Sequence, residues 1–60
     1  MKYPELIKKL RMELLLTQIE FAEFLGVSFE SVNRWENGKC EPTMKVKRKL
    51  RVLFEEHHIS

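Results

Sequence analysis

Only one cysteine, two glycines and two prolines occur among the 60 residues. A lone Cys40 cannot close a disulfide within the chain and offers no metal-ligand spacing. It reads as an inert reduced thiol on a loop, because reactivity needs an activated thiolate. No metal and no cofactor is expected. No apolar run approaches the roughly 18 residues that a membrane span needs. Met1 leads straight into charged residues, without the apolar segment of a signal peptide. A cytoplasmic protein with no membrane partner is the expectation. Strand-type alternation is missing, as are repeats and low-complexity segments. No nucleophile stands at a spacing that suggests a base beside it. His57 and His58 would point about 100° apart on a helix and read as frayed terminal residues. An enzyme is the least favoured class.

What is present fits one small domain covering residues 1–60. A 43% apolar content is ordinary for a globular chain and argues against disorder. A chain of this size buries only roughly 60% of its unfolded surface and leaves no room for a cleft between domains. The net charge of +2 is too small to identify a partner. Its distribution says more: residues 39–51 carry Lys39, Lys45, Lys47, Arg48, Lys49 and Arg51 against Glu41 alone. Such a block suits a phosphate backbone, and it equally suits a solvated helix face.

Apolar spacing is helical throughout and predicts an all-α fold, a compact bundle of four or five short helices. The first helix is expected from Pro4 to about Leu14, with Leu6, Ile7, Leu10 and Leu14 on one face. Thr17-Gln18-Ile19-Glu20 is a capping box that opens the second helix, with Leu16 and Phe21 placed as a hydrophobic staple. Phe21, Ala22, Phe24 and Leu25 form its expected buried face, and Gly26 ends it. Ser28 caps a third helix over about Phe29–Glu36, which Asn37-Gly38 stops. Only Gly26-Val27-Ser28 separates the second helix from the third. So short a connection sets their mutual angle, which is helix-turn-helix geometry over residues 17–38. Thr43 then caps a fourth helix reaching roughly to Glu56, with Val46, Leu50, Leu53 and Phe54 as its core stripe.

On a helical wheel Val32 and Trp35 lie together and face the core, with Ser31 and Glu36 flanking them. Glu30, Asn33, Arg34 and Asn37 gather on the opposite side, and Phe29 falls at the boundary. These outward groups match base-pair edges: arginine with guanine, asparagine with adenine, glutamate with the cytosine amino group. Glu30 also fits simple helix-start electrostatics. Phe29 suits a thymine methyl group, packing against the second helix, or a dimer partner.

The stretch TQIEFAEFLGVSFESVNRWENGKCEP resembles the repressor/Cro-type (XRE-type) helix-turn-helix family, from Ile7 to about Phe54. The resemblance lies in Arg11, Thr17-Gln18, Phe21-Ala22, Leu25-Gly26-Val27-Ser28 and Trp35-Glu36-Asn37-Gly38 followed by Pro42, in order and at the family's spacing. It implies a lambda-repressor-like DNA-binding domain. Phe29, Glu30 and Arg34 occupy the base-reading positions, with Asn33 beside them. Gln18 would donate to a phosphate and brace the first side chain of the recognition helix. Asn37 and Lys39 would hold the DNA backbone, with Lys45 and Lys47 as further phosphate contacts. Arg11 and Glu36 would form an ion pair tying the first helix to the third. Leu15 stands where the family often has glycine, so that turn is expected to be strained by about 1 kcal/mol or shaped differently.

The leading expectation is a sequence-specific regulator of transcription that binds double-stranded DNA as a homodimer formed through the small domain itself. The alternative is a protein-interaction or antitoxin module on the same fold, using Ile19, Val52 and Ile59 as exposed contacts for a protein partner.

Overall fold

Local signals along the chain become four helices in the computed structural model, which describes residues 2–59. They are α1 (Tyr3–Glu13), α2 (Gln18–Leu25), α3 (Phe29–Glu36) and α4 (Met44–Glu56). No strand occurs among the described residues. Pro4 lies in the first turn of α1, where its missing N–H costs no helical hydrogen bond. The Thr17 capping box is complete: Oγ1 accepts from the Glu20 amide at 3.1 Å, and Glu20 Oε1 accepts from the Thr17 amide at 2.9 Å. Ser28 caps α3 by accepting the Ser31 amide at 3.2 Å. Thr43 occupies the cap position of α4 with extended backbone, but its side chain makes no capping bond, contrary to expectation.

The core draws on every helix: Ile7 and Leu10 from α1, Phe21, Ala22 and Leu25 from α2, Val32 and Trp35 from α3, and Val46, Leu50 and Phe54 from α4. α3 packs between α1 and α2, while α4 closes against α1. Leu6, Leu14, Leu16 and Leu53 pack around this core partly buried. Phe24 does not join it. That ring is 56% exposed and lies against Phe21, with centroids 6.3 Å apart. Helical spacing placed Phe24 at the edge of the α2 face, and no neighbouring helix covers that edge. Ile59 moves the other way: expected as an exposed contact, it packs partly buried against the core.

All four helices end in the same way. A residue in the left-handed region follows each last turn, at Leu15 (φ 59°), Gly26 (φ 74°), Gly38 (φ 73°) and His58 (φ 54°). The next amide then reaches back five residues: Leu16 to Arg11, Val27 to Ala22, Lys39 to Arg34 and Ile59 to Phe54, at 2.8–3.1 Å. This arrangement satisfies carbonyls that a helix end leaves without partners. His57 and His58 are thus part of a defined terminator and not frayed. Gly26 and Gly38 meet the left-handed requirement without a Cβ penalty. Leu15 meets it with its side chain 90% exposed, so nothing in its packing offsets the strain. The turn is made with a left-handed leucine and is strained.

Leu15→Gly should therefore stabilise the domain by about 0.5–1 kcal/mol, the left-handed penalty less the added freedom of glycine in the unfolded chain. Gly26→Ala should destabilise it by about 1 kcal/mol, although a Cβ at Gly26 meets no atom within 4 Å. Urea midpoints that move in opposite directions for the two variants are the expected result.

Candidate nucleic-acid interface

Arg11 lies in the last turn of α1, where a positive charge complements the helix dipole. Glu36 is the last residue of α3, where a negative charge is disfavoured by that same dipole. The two meet as a two-pronged pair: Nε donates to Oε2 at 2.7 Å and Nη2 to Oε1 at 3.0 Å. Their side chains are only 15% and 5% exposed. Hydrogen bonding to Glu36 raises the Arg11 pKa above its ordinary value, against the opposing pull of burial. The remaining guanidinium nitrogen Nη1 donates to the Leu16 carbonyl at 3.0 Å, so Arg11 also fastens the turn before α2.

From Glu36 the polar contacts continue across the helix-turn-helix. Gln18, first residue of α2, donates Nε2 to Glu36 Oε1 at 3.0 Å. Its Oε1 accepts from Asn33 Nδ2 at 3.2 Å. Asn33 Oδ1 in turn accepts from Asn37 Nδ2 at 3.0 Å. The path runs from α1 through α3 and α2 and back along α3. Arg11, Gln18, Asn33 and Glu36 are partly buried in it, while Asn37 is exposed at its end.

Beside this relay the outward face of α3 carries Glu30 and Arg34, both exposed, with Phe29 at 41% exposure at its front. Val32 and Trp35 are buried on the opposite side, as the wheel required. Among the described residues, no group of three or more His, Cys, Asp or Glu is arranged to hold a metal ion, and no helix is long and apolar enough to cross a membrane. A family model described as helix-turn-helix matches residues 7–55. The chain belongs to the repressor/Cro-type (XRE-type) helix-turn-helix family. That family consists of DNA-binding regulatory domains and is not typically enzymatic. No curated protein and no solved structure matches the chain.

Within this helix-turn-helix domain the expected site residues separate by what they touch. The ion pair of Arg11 and Glu36 forms. Gln18 braces Asn33 and Glu36, not the first side chain of α3 as the family pattern implies. Asn33, expected on the free face, has both ends of its amide engaged within the protein. Lys39 and Lys45 are exposed. Lys47 is committed instead: Nζ lies 2.8 Å from Glu41 Oε1 and 5.1 Å from the centre of the Tyr3 ring. Lys49 Nζ reaches the Leu25 carbonyl at 3.4 Å, a positive charge at the end of α2. The Asn33–Asn37 bond is legible in the sequence as an i, i+4 pair. The reach of Gln18 onto α3 is not, because it depends on the angle between two helices.

Removing one partner of a largely dehydrated pair leaves the other charge uncompensated. Arg11→Met should cost about 3 kcal/mol, the lower end of the range for buried pairs. The double variant Arg11→Met/Glu36→Leu should lose less than the sum of the single changes, by denaturant titration. The exposed pair makes a separate prediction. Hydrogen bonding to Lys47 holds the Glu41 carboxyl below its ordinary pKa, and Glu41 holds Lys47 above its own. The contribution of Glu41 is thus present above the ordinary glutamate pKa and lost as pH falls through the lowered one. That of Lys47 is present below the ordinary lysine pKa and lost as pH rises through the raised one. Carboxyl NMR titration should find Glu41 returned to ordinary behaviour in Lys47→Met.

Proposed function

We propose that this chain is a sequence-specific regulator of transcription that binds double-stranded DNA and lays α3 in the major groove. The observation that carries the reading is the outward face of α3. Phe29, Glu30 and Arg34 stand there on a helix whose other face is locked by Val32 and Trp35 and whose end is tied by Glu36 to Arg11. An α-helix with its side chains is about 10–12 Å across, and the major groove of B-DNA is about 12 Å wide, so α3 can enter it. Arg34 is the candidate for a guanine, Glu30 for a cytosine amino group and Phe29 for a thymine methyl. Gln18 and Asn37 border this face and would donate their remaining N–H groups to phosphate. Lys39 and Lys45 supply the attraction to the backbone. Lys47 is a weaker candidate because Glu41 already holds it.

Two copies as a homodimer would read half-sites about one helical turn, 34–36 Å, apart. The cytoplasm is the place that goes with this reading. A second reading, a protein-interaction or antitoxin module, draws on Met12, Ile19, Phe24 and Val52, each more than half exposed. Those side chains belong to three helices, and Ile19 and Phe24 leave α2 on different sides.

Selection from a random duplex library, followed by affinity against salt, tests the proposal. A palindromic consensus and a negative salt slope are expected. Arg34→Ala should relax base preference at one position by about 1–3 kcal/mol. Lys39→Ala should weaken all sequences alike and reduce the salt slope by about 1. A chain that binds no duplex at low salt, but captures a protein in a salt-independent way, would favour the second reading.

A further inference from the structure

The relay across the helix-turn-helix has a direction. A carboxylate carries acceptors only. Glu36 therefore takes the Nε2 of Gln18, which turns Oε1 of Gln18 toward α3. That oxygen must meet a donor, so Asn33 points Nδ2 at it and turns Oδ1 toward Asn37. Asn37 answers with its own Nδ2. A single charge, held by Arg11, thereby sets the sense of three successive side-chain amides. Each amide keeps one N–H that the relay does not use.

Reading adenine requires the donor and the acceptor of an asparagine together, both presented to one base edge. Asn33 has one N–H bound to Gln18 and its oxygen bound to Asn37, which fixes the plane and sense of its amide. It is half-buried between them, so the amide is not free to turn its remaining N–H and lone pair to one base edge. Glu30 and Arg34 have no such commitment: among the described residues neither enters a side-chain hydrogen bond or an ion pair.

We infer that Asn33 is a positioning residue that clamps Gln18 and Asn37 at their phosphate-facing places, and that base choice falls to Glu30 and Arg34 with Phe29. The inference rests on the DNA-binding reading above. It assigns Asn33 a role opposite to the one its place on the outward face suggests. Affinity for every sequence, and not preference for one base, is what it supplies.

The test compares the wild-type chain with Asn33→Ala in the same random-duplex selection and salt titration. NMR of the side-chain amide groups in the free protein is recorded alongside. Asn33→Ala should select the same consensus and bind every duplex about two- to tenfold more weakly, the effect of losing a hydrogen bond that orients phosphate donors. The amide signals of Gln18 and Asn37 should both move. Asn33→Asp retains an acceptor for Asn37 but denies Gln18 its donor, so in the free protein the Gln18 signal should move more than that of Asn37. If Asn33→Ala loses preference at one base pair, by about 5- to 150-fold, with the other positions intact, Asn33 is a base reader and the inference is overturned. Unchanged affinity, or unmoved amide signals, overturns it as well. A wild-type chain that binds no duplex at low salt removes the regulator reading and this inference with it. That failure is distinct because it shows before any substitution.

Discussion

The pair between Arg11 and Glu36 is the contact on which the rest of the helix-turn-helix depends. It joins the end of α1 to the end of α3, and through the Leu16 carbonyl it holds the turn that launches α2. Glu36 sits at the negative end of its helix, where it would otherwise weaken α3. A guanidinium delivered from the end of another helix reverses that penalty. Dehydrating two charges is costly, and only good geometry with further hydrogen bonds offsets it. Both carboxylate oxygens are engaged here, one of them twice, and three guanidinium nitrogens find acceptors. No buried side-chain nitrogen or oxygen among the described residues lacks a partner.

Around this pair the chain relies on repeated helix ends more than on a large core. Four left-handed terminators turn the chain within a body of about 25 × 22 × 19 Å. Two use glycine, and two accept the strain of leucine and histidine. The terminator at Gly26 leads through Val27 to the Ser28 cap of α3, so the short turn narrows the range of angles between α2 and α3, and the packing of the core holds one of them. A rigid angle is what lets side chains on a short helix meet another surface in a constant register.

The basic block after α3 is divided by the fold. Lys47 pairs with Glu41 under the Tyr3 ring, and Lys49 closes the end of α2. Arg51 lies 3.7 Å from Glu55 with both side chains exposed, a contact worth little. Among the described residues, Lys39, Lys45 and Arg48 enter no ion pair or side-chain hydrogen bond. The cations that can answer an external phosphate are fewer than the sequence count suggests.

Four helices and the boundaries of α2 and α3 follow from local signals in the sequence, and the pairing of Arg11 with Glu36 is what the likeness to the family implies. Caps at Thr17 and Ser28, stops at Gly26 and Gly38 and the spacing of Ile7, Val32, Trp35 and Leu50 are local signals. They depend on neighbours within a turn or two of the chain, and the family pattern added the one long-range contact. Contacts that reach beyond a single helix follow from the packing of the four helices together. Phe24 shares the helical spacing of Phe21 and Leu25, but which edge of α2 receives a neighbour follows from how α3 and α4 pack. Asn33 and Lys47 look free when each helix is viewed alone. Gln18 arriving from α2, and Glu41 from the loop before α4, engage them. A wheel records the direction in which a side chain leaves its own helix. Whether a partner waits there is settled by the angles between helices, which arise from packing the whole core at once.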